Sequence, residues 1–165
     1  MKKDTVILFV DFDNTLYLHP LYWTVDEDFS INLKFAYGIN GYDPDNLDKD
    51  LLIKLREFKD YYNRKDIDVK IYLLSGCKIS KYLDIKRDFL IENGCMDLFD
   101  DYFSVCQQSQ KAEYINFVIN NPELFNIDGN IIKTIIVDDE FAILASCKPP
   151  IITYIPKLFE QQSFK

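Results

Sequence analysis

Glycine and proline are scarce in this 165-residue chain, at five and six residues, so no flexible linker or proline-rich disordered tail can be composed from it. There is one histidine, and Cys77, Cys95, Cys106 and Cys147 share no CxxC spacing, which argues against the usual Cys/His zinc sets. The four thiols are expected to be reduced and mostly buried. No apolar run approaches the ~18 residues of a membrane span. Only six apolar-leaning residues precede Asp11, too few for a signal-peptide core, so the sequence reads as that of a soluble cytoplasmic protein with no membrane partner. Positive charge is also short: 19 Lys and Arg against 27 Asp and Glu leave a net charge of −8, which argues against general nucleic-acid binding.

What the chain does have is apolar content, 48% of its residues, enough for one globular domain over 1–165 without disulfides. Short β-branched runs alternate with helical periodicity. The runs are Thr5 to Val10, Val69 to Leu74, a weaker Tyr102 to Cys106, Ile132 to Val137 and Ile151 to Ile155. Four are almost continuously apolar, as strands covered on both faces should be. Between them, Leu47, Leu51, Leu55, Phe58 and Tyr62 recur at helical spacing after Pro44-Asp45. A second helix carries Ile79, Tyr82, Leu83, Phe89 and Leu90 and stops at Asn93-Gly94, and a third follows Ser109 and ends before Pro122. Right-handed crossovers then imply an α/β fold: a three-layer, doubly wound, Rossmann-like parallel sheet with its chemistry at the carboxyl ends of the strands.

Those ends carry a pattern. After the first run comes Asp11-Phe12-Asp13-Asn14-Thr15-Leu16, with two carboxylates one residue apart, though Asp and Asn at a strand end also make ordinary turns and caps. The second run ends in Ser75-Gly76, a hydroxyl and a glycine whose amide can approach an anion closely, though taken alone Ser-Gly reads as an ordinary turn. Lys111 stands near the start of the third helix, where an ammonium could meet a phosphoryl oxygen; taken alone it reads as a solvated surface lysine. The fourth run ends in Asp138-Asp139-Glu140, three adjacent acids whose repulsion calls for a hard cation such as Mg2+ or for a charged loop open to water.

In this order the motifs resemble those of the haloacid dehalogenase superfamily: Val10-Asp11-Phe12-Asp13-Asn14-Thr15-Leu16, Leu74-Ser75-Gly76, Lys111 and Val137-Asp138-Asp139. The resemblance covers residues 5–155. It implies a phosphatase, because an acid at Asp13 can protonate a departing alkoxide. Asp11 would be the nucleophile that forms an aspartyl phosphate, and Asp13 the general acid and then the general base. Ser75, Gly76, Lys111 and Thr15 would serve the phosphoryl group. Mg2+ would be held by Asp11, the carbonyl of Asp13 and Asp139, with Asp138 in support.

The gaps between motifs hold no cap domain, so the chain resembles the small capless, magnesium-dependent phosphatases. An open site suits a phosphorylated small molecule or a phosphorylated macromolecule, or could be covered by a second copy in a homo-oligomer. Residues 17–45 form a short insert beside the site with Tyr17, Tyr22, Trp23, Phe29, Phe35, Tyr37 and Tyr42, either a lip for substrate or a helix packing its aromatics on the core. His19 reads as an exposed loop residue and Cys77 as a small buried hydrophobe. Two other functions use acids on such a sheet, a receiver-like phosphoacceptor domain and a metal-dependent nuclease. The late adjacent acid pair disfavours the first and the net charge the second.

Overall fold

Thr5 and the five apolar residues after it have no polar face to turn to water, and they form the central strand, β1 (Thr5–Val10), buried on both sides. The structure is a computed structural model, and it describes residues 2–19 and 41–165. In chain order β1 is followed by α1 (Lys49–Asn63), β2 (Asp68–Gly76), α2 (Ser80–Glu92), β3 (Asp101–Val105), α3 (Lys111–Asn120), β4 (Ile131–Val137), α4 (Phe141–Ser146), β5 (Ile151–Tyr154) and α5 (Pro156–Glu160). The strands lie in the order β3-β2-β1-β4-β5 and every pairing is parallel. The chain winds one way from β1 to β3 and the other way through β4 and β5, so the topological switch lies between β1 and β4.

Strand side chains alternate between faces, and this sorts the core into two layers. Val6, Leu8 and Val10 point to the face covered by α1, α2 and α5, where they meet Leu51, Leu55, Phe58, Phe89, Leu90 and Phe159. Ile7 and Phe9 point to the other face, covered by α3 and α4 through Ile115, Val118 and Ile143. The three-layer α/β fold expected from the sequence is therefore present, with strand ends within two residues of those expected. Among the described residues nothing forms a cap domain, and no helix is long and apolar enough to cross a membrane.

The helix start at Pro44-Asp45 is displaced. Pro44 opens only a 3-10 turn, Pro44–Asn46, and α1 begins five residues later, where the Asp48 carboxylate accepts a hydrogen bond from the Leu51 amide at 3.1 Å. Of the aromatic insert, Tyr22, Trp23, Phe29, Phe35 and Tyr37 lie outside the described residues. Tyr17 and Tyr42 are described and belong to the core: Tyr17 stacks on Phe12 with ring centroids 5.8 Å apart, and Tyr42 meets both rings edge-on.

At the opposite end of the sheet from the motifs, the backbone before β1 runs against Gly129. A Cβ there would lie 1.5 Å from the Lys3 carbonyl oxygen, which belongs to backbone and has little freedom to yield. Gly129→Ala is expected to destabilise the fold by about 3 kcal/mol, the upper range for overpacking, read as a lowered midpoint in urea at unchanged slope.

Candidate functional site

The register of the sheet decides which strand-end residues meet. Val10 pairs with Leu73 on one side and Val137 on the other, so Asp11 and Asp138 emerge side by side from β1 and β4. The ladder runs one step further through the Asp11 amide, which donates to the Val137 carbonyl at 3.0 Å. Because Val10, Leu73 and Val137 face the α1/α2/α5 layer, alternation turns Asp11 and Asp138 toward α3. Ser75, two residues beyond Leu73, turns back toward α2.

Lys111 opens α3 beneath the two acids. Its Nζ donates to Asp11 Oδ1 and to Asp138 Oδ2, both at 2.7 Å, and the residue is 0% exposed. A cation in a first helical turn opposes the helix dipole, and burial by itself would lower its pKa. The two carboxylates override both effects and hold the ammonium above its ordinary value. Asp138 Oδ1 accepts the Glu140 amide at 2.9 Å, so both of its oxygens are engaged. Thr15 Oγ1 donates to Asp11 Oδ2 at 3.0 Å and lies 3.4 Å from Asp139 Oδ1.

One lysine does not balance three carboxylates. Ligand atoms of Asp11, Asp138 and Asp139 all lie within 4.8 Å of one another. Burial, and then the Asp11 charge, push Asp138 up to about 6 even against Lys111, and push Asp139 up to about 7. Three hard oxygen donors with surplus negative charge fit a small divalent cation. Asp139, which makes no bond to Lys111, has the freer oxygens for direct coordination, with Asp138 held behind it.

Asp13 sits on the loop that leaves β1, where Asn14 adopts a left-handed conformation (φ 57°) that an asparagine tolerates. Its Oδ2 accepts from Lys86 Nζ at 2.7 Å and its Oδ1 lies 2.9 Å from His19 Nε2. Burial would raise its pKa, but the His19 bond and the Lys86 charge prevail and keep Asp13 below the usual carboxylate range. Lys86 also donates to Ser75 Oγ at 2.7 Å, and Cys77 Sγ lies 3.7 Å from the same hydroxyl.

Asp11, Asp13, Thr15, Ser75, Lys111, Asp138 and Asp139 are thus brought to one end of the sheet. Several do something other than the sequence suggested. Lys111 is a buried bridge between acids, and Thr15 and Ser75 are 0% exposed with their hydroxyls on protein partners. Gly76 leaves room for Gln108, whose side-chain atoms would lie 2.8 Å from a Cβ there. His19 is a correction: its side chain is 3% exposed and lies against Asp13. Cys77, Cys95 and Cys147 are buried as expected, while Cys106 is exposed. Lys86 is the member that sequence reasoning missed. Its only signal is a lysine three residues after Leu83 and three before Phe89, on the inward stripe of α2.

No family model, curated protein or solved structure matches the chain.

Lys111→Met strands two buried carboxylates and is expected to cost about 3 kcal/mol in chemical denaturation, with partial recovery when Asp138→Asn is added. A pH dependence also follows. The folded values of Asp138 and Asp139 lie above that of an unfolded Asp, so the native chain binds their protons more tightly. Their contribution to stability is full below about pH 4, the ordinary Asp value, and is lost as pH rises through 6 to 7. In a chelator, melting temperature should fall over that interval, and Asp139→Asn should flatten the fall.

Proposed function

We propose that the chain is a Mg2+-dependent phosphomonoesterase of the haloacid dehalogenase type, acting on a phosphorylated small molecule or macromolecule at an open site. The observation that carries this reading is the convergence of Asp11, Asp138 and Asp139 within 4.8 Å at the sheet's switch point, with Asp13 two residues from Asp11 on the adjoining loop. The four free cysteines suit a reducing compartment, the cytoplasm.

An Asp11 oxygen attacks phosphorus in line, the bond to the ester oxygen breaks, and that oxygen takes a proton from Asp13. Asp13 then accepts a proton from water, whose oxygen attacks the aspartyl phosphate, releasing phosphate and restoring Asp11. Thr15 and Lys111 fix the plane of the Asp11 carboxylate before attack. Asp13 rests ionised beside Lys86 and His19, the form needed for the second step. A phosphoryl group arriving beside it raises its proton affinity, so that Asp13 takes up a proton from water or from the monoanionic ester before the first step. A bound Mg2+ would supply the charge that lets an anionic nucleophile approach an anionic phosphoryl group.

Phosphate release should be assayed over phosphorylated sugars, nucleotides, phosphopeptides and phosphorylated nucleic-acid ends. Activity is expected with Mg2+, none in EDTA, and a loss of at least about 1,000-fold in Asp11→Asn, which keeps the shape but not the nucleophile. Undiminished turnover in EDTA, or an active Asp11→Asn, would overturn the mechanism. Stable phosphorylation of Asp11 without release would instead favour the receiver-like reading.

A further inference from the structure

Lys86 is, among the described residues, the buried cation of this site that the proposed mechanism leaves without a task. Its ammonium is 0% exposed, so it does not meet substrate, and its surroundings are protein groups: Asp13 Oδ2 and Ser75 Oγ at 2.7 Å each, and the Phe12 ring with its centroid at 5.3 Å. A serine bonded to a lysine suggests a nucleophile and its base, but a base must be neutral. Here the Asp13 charge offsets burial and holds the ammonium above its ordinary value, so it offers Ser75 a proton rather than accepting one.

The geometry points to Lys86 as a positioning residue for Asp13, a role that rests on the phosphatase reading. Asp13 stands on a loop, with its side chain 26% exposed and its Oδ1 against His19, which is itself a loop residue, and a carboxylate held only from loops samples several rotamers. Lys86 comes from α2, a thirteen-residue helix anchored in the core by Phe89 and Leu90, and its Nζ is fixed in turn by the end of β2 through Ser75. The ammonium therefore ties the acid–base carboxylate to two rigid elements and fixes its plane beside Asp11. A displacement of 1 Å at such a group costs on the order of 100-fold in rate. Ser75 accordingly acts on Lys86, as a brace for the clamp.

The test uses the full chain with Mg2+ and two esters, glycerol phosphate, whose alkoxide needs protonation, and 4-nitrophenyl phosphate, whose phenolate does not. Lys86→Met is expected to lower kcat about 100-fold on the alkyl ester and less than about 10-fold on the aryl ester, with KM within about twofold on both. A structural role would lower both alike. In an Asp13→Asn background, assayed on the aryl ester, adding Lys86→Met should change kcat by less than about twofold, because there is no acid left to position. The double variant removes the ammonium together with its carboxylate, so this comparison serves where Lys86→Met alone fails to fold and Asp13→Asn folds. Equal losses on the two esters, or a further loss in the Asp13→Asn background, would overturn the positioning role and leave the phosphatase reading standing. No phosphate release from either ester by the unmodified chain would overturn both.

Discussion

Four carboxylates, those of Asp11, Asp13, Asp138 and Asp139, crowd the carboxyl edge of a sheet whose interior is largely apolar, and the arrangement depends on two fully buried ammonium groups that hold the first three of them there. Like charges a few ångströms apart repel by several kcal/mol even at an effective dielectric near 20. Lys111 reaches the edge from the α3/α4 layer and bridges β1 to β4; Lys86 reaches it from the α1/α2/α5 layer and bridges the β1 loop to the end of β2. One cation rises from each side of the sheet. Each crosses between elements far apart in the chain, so the lysines bind the site together while offsetting part of its negative charge.

This division follows from strand geometry. With Val10, Leu73 and Val137 in register and facing the same layer, the next residue on each strand must face the other layer, and the residue after that must turn back. Asp11 and Asp138 are one step beyond the aligned row, and Ser75 is two. A one-residue slip of β4 would turn Asp138 to the other face of the sheet, away from Lys111, which would keep only Asp11. The apolar pattern that builds the core thereby also sets the polar partners at its edge.

The same geometry explains what could be read from the sequence. Strands buried on both faces announce themselves as continuous apolar runs, and acids that terminate such runs stand out, which is why Asp11, Asp138 and Asp139 were legible with the fold, whereas Ser75 drew notice only from its place in the order of motifs. Lys86 was not, because helical periodicity is read from apolar residues and a lysine among them counts as a gap in the stripe. Its meaning lies in Asp13 and Ser75, which are 73 and 11 positions away. His19 was hidden for the same reason, since a histidine in a loop carries no pattern until Asp13 is beside it. Two short elements blurred into their surroundings as well, α5 and the turn at Pro44, each too brief to establish a period.

The two halves of the site differ in charge, and the difference bears on chemistry. Around Asp11, Asp138 and Asp139 there is a single ammonium among the described residues, and burial and mutual repulsion raise the latter two acids to about 6 and about 7. Around Asp13 there are Lys86 and His19 for one carboxylate, and its pKa falls instead. Identical side chains at one end of the sheet are thus pushed in opposite directions by their neighbours. The first half is short of positive charge by an amount that a divalent cation would supply; the second is already provided for by the protein. Under the proposed mechanism this polarity orients the substrate. A phosphoryl group is drawn toward the half that recruits a cation, and its ester oxygen is left facing Asp13, whose proton affinity increases only once that negative charge has arrived. Acid catalysis would then be switched on by binding, with the resting carboxylate kept ionised and firmly held until it is required.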